Sequence, residues 1–250
     1  MRAALVVHRP RPDVNESMAR MAECARAAAS GGADLVLFPE AAPTGLINND
    51  DPAHDLPLGQ SVPGPLTRLL GAVAREESVL VASGLLERER DMLYDAAVLL
   101  GPEGEVLLHY RRIQPQWHGR NADPEVYGRG EELPTAGTPW GRMLVLLCGD
   151  LFDDGIVERA RRAEPDYVLF PFARSFSDGT CDQGRWEREE APAYARRAAL
   201  LGCTTLMVNC LEDRVEPRYP AFGGALVVGA DGRVLARWPL GQAGTLHVEV

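Results

Sequence analysis

Two stretches decide the fold: "ADLVLFPEAAP", residues 33–43, and "PDYVLFPFARS", residues 165–175. Each is a short continuous apolar run that ends at a proline, the pattern of a buried strand emerging into a loop. Their likeness, 132 positions apart by their first residues (165 − 33), predicts two similar halves packed together.

Outward from the first stretch, "RAALVVH" reads as a strand, and Asp13 caps a helix whose apolar positions are Val14, Met18, Met21, Ala22, Ala25 and Ala29, ended by Gly31 and Gly32. A second helix is expected over Pro65 to Glu76, followed by the strand "SVLVASGLLERER". Two antiparallel strands, "MLYDAAVLL" and "EVLLHYRR", meet at the turn Gly101-Pro102-Glu103-Gly104. Ile113 to Pro139 lacks any period and is expected to be a long loop. Then come the apolar run "RMLVLLCGD", a helix from Ile156 to Ala163, the helix "APAYARRAALLG" and the strand "TTLMVNC". A hairpin, "GALVVGADGRVLARW", turns at Asp231-Gly232, and "GTLHVEV" closes the chain. Strands interleaved with helices and hairpins predict an α/β protein: two mixed sheets facing each other with helices outside, as a single domain over 1–250.

Composition narrows the function. With 250 residues and 46% hydrophobic content the chain can bury a large core. A net charge of −10 argues against nucleic acid and anionic membrane as partners. No leader-like segment or membrane-length apolar run is seen, so a soluble, cytoplasmic protein is expected. The five cysteines form no metal-ligand or disulfide spacing, which turns the search toward one reactive thiol. All 26 Lys+Arg residues are arginine. Either a GC-rich coding bias or an incompatibility of amines with the protein's chemistry explains that, and both bear on position 112.

The chemistry-bearing residues sit at strand ends. Cys148 closes the run "MLVLL", and Glu40 follows "LVLFP". A carboxylate beside an apolar strand end can be desolvated into the range of a general base. Together with "LLHYRRIQPQW", residues 107–117, these segments resemble the three signature blocks of the nitrilase superfamily, the carbon-nitrogen hydrolases. The similarity extends along most of the chain, from "GLLERERDMLYDAAVLLGPEGEVLLHYRR" to "AYARRAALLGCTTLMVN" and "FGGALVVGADGRVLA".

The resemblance implies a four-layer α-β-β-α sandwich that needs neither metal nor other cofactor, that pairs into homodimers or larger homo-oligomers, and that acts on a small amide or carbamoyl compound. It implies Glu40 as general base and Cys148 as nucleophile forming an acyl-enzyme. At the family's lysine position this chain has Arg112, and the spacing of the family's second glutamate falls on Asp123. A longer cation and a shorter anion are expected to compensate for each other. The same segments put Trp117, Tyr127, Gly149, Phe172 and Arg174 around the pocket, with Arg174 suited to a carboxylate on the substrate and the backbone after Cys148 suited to an oxyanion. Hydrolysis, transfer of the acyl group to an amine, and a catalytically silent binding scaffold all remain open at this level. Specificity is expected to reside in Ile47 to Pro63 and Gln114 to Pro134.

Overall fold

The computed structural model describes residues 1–45, 50–119, 121–213 and 219–250. Its strands are β1 (Arg2–Val7), β2 (Leu35–Leu37), β3 (Leu80–Glu89), β4 (Met92–Leu100), β5 (Val106–Arg111), β6 (Thr135–Thr138), β7 (Gly141–Val145), β8 (Tyr167–Phe172), β9 (Thr204–Asn209), β10 (Ala225–Val228), β11 (Val234–Trp238) and β12 (Gly244–Glu249). They form two six-stranded sheets, β12-β1-β2-β3-β4-β5 and β11-β10-β9-β8-β7-β6. The helices are α1 (Val14–Ser30), α2 (Pro52–Asp55), α3 (Pro65–Glu77), α4 (Asp154–Arg162), α5 (Gln183–Arg185) and α6 (Ala191–Ala199).

The two echoing stretches are β2 and β8, and they hold equivalent places. β2 lies parallel between β1 and β3, and β8 lies parallel between β7 and β9. Antiparallel strands complete both sheets on either side. A strand alternates its side chains between faces, and here both faces are apolar. On β1, Ala3, Leu5 and Val7 enter the layer between the sheets, while Ala4 and Val6 face the helices. On β8, Leu169 points inward between the sheets, and Val168, Phe170 and Phe172 point out toward α4 and α6. The result is three apolar layers between four structural ones: helices α1 and α3, sheet, sheet, helices α4 and α6.

Local chemistry sets the boundaries. The Asp13 side chain accepts from the N–H groups of Asn15 and Glu16, starting α1, and Met18, Met21, Ala22, Ala25 and Ala28 form its buried stripe. One strand and two short helices, α2 and α5, escaped the sequence: the strand, β6, lies within the expected loop of 113–139 and pairs antiparallel with β7 at the sheet edge. Only Ala136 of its four residues is buried, so it carries no readable alternation.

The strand directions assemble one end of the molecule. β2 and β3 run parallel, β4 runs against β3, and β5 runs against β4, so β5 points the same way as β2. Glu40 after β2, Arg112 after β5 and the first half of β4 therefore share an edge. The turn carrying Glu40 is clamped by β3: the Gly84 N–H donates to Pro39 O at 3.0 Å, and Gly84 O accepts from the Ala42 N–H at 3.2 Å. A Cβ at Gly84 would lie 2.6 Å from Glu40 Cα and 2.7 Å from Pro39 O, all backbone that cannot step aside. Gly84→Ala is therefore expected to destabilise the fold by about 1–3 kcal/mol. Urea unfolding checks this, and an unchanged midpoint would mean the turn is free to move away from β3.

Candidate active site

A single buried cation organises this edge. Arg112 is 3% exposed; its Nη1 donates to Glu40 Oε1 at 3.0 Å and to Asp95 Oδ2 at 3.2 Å, and its Nη2 donates to Gln114 Oε1 at 3.3 Å. Each terminal nitrogen of a guanidinium carries two N–H groups. Nη1 is fully used, whereas Nη2 keeps one free.

Glu40 is fully buried. Desolvation, the nearby Asp95 and a Cys148 thiolate push its carboxyl well above the usual carboxylate range, against the smaller opposing pull of Arg112. For Arg112, burial favours the neutral form, but Cys148, Glu40, Asp95 and Asp150 together outweigh it and hold the guanidinium charged. Cys148, Glu40 and Arg112 are thus near enough for their charges to act on one another.

Cys148 begins a short 3-10 turn, Cys148–Phe152, just past β7. Its φ is +42°, a left-handed conformation that costs a non-glycine residue about 1–3 kcal/mol. Asp150 secures that turn, its Oδ2 accepting from the Leu147 N–H at 3.0 Å and from the Tyr110 hydroxyl at 2.6 Å, and its Oδ1 from the Gln114 N–H at 2.9 Å. Because Tyr110 and Gln114 flank Arg112, Asp150 ties the cysteine turn of one sheet to the arginine strand of the other. Burial raises the Asp150 carboxyl's affinity for a proton, with these hydrogen bonds opposing it.

Cys148 opens onto a cleft of about 420 Å³ lined also by Gly149, Phe152, Arg174, Glu189, Glu190, Ala193 and Tyr194. Behind Tyr194, Phe172 belongs to the core and is 1% exposed, with its ring 5.3 Å from Tyr194 and 6.4 Å from Trp186 between centroids. Asn209 holds the Arg174 backbone, accepting its N–H at 2.8 Å and donating to its carbonyl at 3.1 Å. A larger groove of about 770 Å³ lies elsewhere, lined by Glu87, His109 and Arg111. There Glu87 accepts both arms of Arg111 and sits 2.7 Å from His109 Nε2, and no cysteine is among the described residues that line the groove.

Of the residues expected from the sequence, Cys148, Gly149 and Arg174 line the cleft, Arg112 and Glu40 are buried behind Gly149, and Phe172 packs in the core against Tyr194 without lining it. Asp123 does not: it is exposed, and among the described residues its carboxylate accepts the Glu125 N–H while its carbonyl takes the N–H groups of Val126 and Tyr127. It shapes a surface turn, and the anion beside Arg112 is Asp95 instead. Trp117 and Tyr127 pack with Leu86 and Leu93 in a separate apolar cluster, Trp117 donating to Gly128 O and Tyr127 to Asp55 Oδ2. They support the loop and do not line the cleft. Arg174 is occupied, since Glu190 binds it through two hydrogen bonds of 2.9 and 2.6 Å, which removes the free cation expected for a carboxylate substrate. Of the expected specificity segments, Ile47 to Asn49 and Arg120 lie outside the described residues. Asp95, Asp150, Tyr110 and Tyr194 were missed; a charged residue within "MLYDAAVLL" was the one available signal for Asp95.

A model of the carbon-nitrogen hydrolase family matches residues 2–250. The chain belongs to that family. This carbon-nitrogen hydrolase is 31% identical to an aliphatic nitrilase of Sinorhizobium fredii, over 94% of this chain and 81% of that protein. It is 24% identical to the omega-amidase of Homo sapiens, over 89% and 79%. An amidase from Nesterenkonia sp. superposes with a TM-score of 0.80 at 24% identity, covering 100% of this chain and 90% of that one. The four-layer sandwich is thus the fold shared with an amidase of known structure.

Two measurements probe the carbon-nitrogen hydrolase's cation and base. A Cβ at Gly149 would lie 2.5 Å from Arg112 Nη2 and 2.9 Å from Gln114 Oε1. Gly149→Ala is expected to displace the guanidinium, to slow iodoacetamide labelling of Cys148 at least tenfold, and to lower stability because the buried ion pairs of Arg112 are disturbed. An unchanged labelling rate would mean that Arg112 does not support the thiolate. The second concerns pH. Because the folded state raises the Glu40 affinity for protons, the protein takes up a proton on folding above the ordinary glutamate value of 4.5. That contribution to stability is fully present below 4.5 and is lost as pH rises toward the folded value. Thermal melts across pH should show Glu40→Gln gaining on wild type as pH rises from 4.5, and parallel curves would contradict the burial argument.

Proposed function

We propose that the protein hydrolyses a small neutral amide in the 420 Å³ cleft through an acyl-enzyme on Cys148. The observation that carries this reading is the placement of Cys148 in a left-handed turn at the end of β7, facing the cleft and in electrostatic reach of both Glu40 and Arg112. Glu40 takes the thiol proton; the thiolate attacks the amide carbon; the proton passes to the departing nitrogen as the C–N bond breaks. Water then attacks the thioester, giving a proton back to the carboxylate, and the C–S bond breaks as the thiolate leaves.

The tetrahedral oxygen needs donors that are already in place. The spare Nη2 hydrogen of Arg112 lies against Gly149, next to the Gly149 N–H, whereas the Asp150 N–H is spent on Leu147 O at 2.9 Å. One such donor is worth roughly 3–4 kcal/mol in the transition state. Arginine supplies this charge but cannot shuttle a proton, so all proton transfer falls to carboxyl groups. A neutral amide is favoured over an anionic one because Glu190 already fills the fork of Arg174 and Glu189 adds further negative charge at the mouth. Among related structures, forms of the Nesterenkonia amidase carry acrylamide, or the acetamide moiety of fluoroacetamide, bound to the active-site cysteine. Those adducts are S-alkylations that leave the amide intact, and they support a nucleophilic cysteine at the position of Cys148 here.

Intact-protein mass spectrometry with a panel of small amides and nitriles, comparing wild type with Cys148→Ala, tests the reading. An acyl adduct present only with Cys148, followed by release of ammonia or amine, is expected, and its mass names the acyl group. Exposed Cys181 is the internal control, since its adducts persist in the variant. If Cys148 is labelled no faster than Cys181 and no panel member leaves an adduct, the proposal fails and a binding scaffold takes its place.

A further inference from the structure

Asp95 breaks an otherwise apolar stretch of β4 and is 2% exposed. Its carbonyl accepts the Arg112 N–H at 2.8 Å, and its Oδ2 shares Nη1 of the same arginine with Glu40. The oxygens that do not face Arg112, Glu40 Oε2 and Asp95 Oδ1, are both buried and without a donor when both groups are ionised. Their other oxygens, Glu40 Oε1 and Asp95 Oδ2, converge on the same Arg112 nitrogen at 3.0 and 3.2 Å, so the two carboxyl groups are neighbours. Neighbouring buried carboxyl groups satisfy each other only when one of them holds a proton.

Charge gives the same answer. Two carboxylates against one guanidinium leave an uncompensated negative charge in a site closed to water, and a buried unpaired charge is strongly disfavoured. The other groups facing the pair are Cys148, Asp150 across Arg112, and Tyr194 with Arg174 and Glu190 behind it. Asp150 is already balanced by three hydrogen bonds. The missing positive charge therefore has to be a proton on the pair.

We propose that Glu40 and Asp95 share one proton and work as a single acid–base unit, Asp95 being a positioning residue that keeps the proton beside Cys148. The catalytic consequence rests on the amide-hydrolysis reading; the shared proton does not. With one proton the pair carries a single negative charge, balanced by Arg112. The Cys148 thiol proton then moves onto the pair, which becomes neutral, and the thiolate takes its place opposite Arg112. The cluster's total charge is unchanged by that transfer. Cleavage of the C–N bond sends one proton from the pair to the departing nitrogen, and the attacking water replaces it. When the C–S bond breaks, the pair reprotonates the thiolate and the starting state returns.

Infrared difference spectroscopy at neutral pH reads the proton directly. Wild type and Cys148→Ala are expected to show a carboxylic C=O band that shifts in D₂O. Asp95→Asn alone and Glu40→Gln alone should each remove the whole band, since the remaining carboxylate then ionises against Arg112. Asp95→Glu should restore it. A band that survives Asp95→Asn would place the proton on Glu40 alone, and no band in wild type would mean both groups are ionised; either overturns the proposal. The wild-type result stands even if Asp95→Asn fails to fold. Cys148→Ala lacks the nucleophile, so the band pattern is independent of turnover: that pattern with no amide hydrolysed would sink the amidase reading and keep the shared proton.

Discussion

The constraint on which this structure turns is a guanidinium buried where two sheets meet. Taking a cation out of water costs several kcal/mol even after relaxation, so Arg112 is stable there only if the surrounding chain supplies charge and acceptors at fixed positions. β2 supplies Glu40, β4 supplies Asp95, and the segment after β5 supplies Gln114. The alternating directions of β2 to β5 bring all of these to one edge, and the register that pairs β4 with β5 sets Asp95 against the arginine. The sheet geometry and the charge arrangement are the same fact seen at two scales.

The nucleophile belongs to the other sheet and needs its own link to this cation. Asp150 provides it: its two oxygens are bound by Leu147, beside Cys148, and by Tyr110 and Gln114, on either side of Arg112. The strain in the left-handed Cys148 is held by these bonds rather than relaxed. Burial of Asp150 and Tyr110 in the apolar layer shields the link from water, which strengthens each hydrogen bond in it.

This division explains what the sequence disclosed. The layers were legible because strands buried on both faces read as continuous apolar runs, and the likeness of residues 33–43 to 165–175 reflects two parallel-centred sheets. Glu40 and Cys148 were legible because each ends such a run, and Arg112 because "LLHYRRIQPQW" resembles a signature block of the family. The partners were not. Asp95 reaches Arg112 through antiparallel pairing across a turn, a relation of register that spacing along the chain does not encode, whereas Asp123 fitted a linear spacing and lies on the surface. Trp117 and Tyr127 were placed at the cleft from their position in the loop; their aromatic faces find Leu86 and Leu93 instead.

Arg112 is best understood with two other positions. A guanidinium is larger than an ammonium and forks in a plane, so it needs room on one side and an acceptor for each arm. Gly149 gives the room, since any Cβ there would meet Nη2. Asp95 gives the second acceptor on Nη1 beside Glu40. A lysine would present three donors from one atom and would not need the Gly149 gap. It could also surrender a proton, which this arginine cannot. The three residues therefore form one solution to placing a permanent cation beside a cysteine in a chain without lysine, and they shift the handling of protons onto the carboxyl pair.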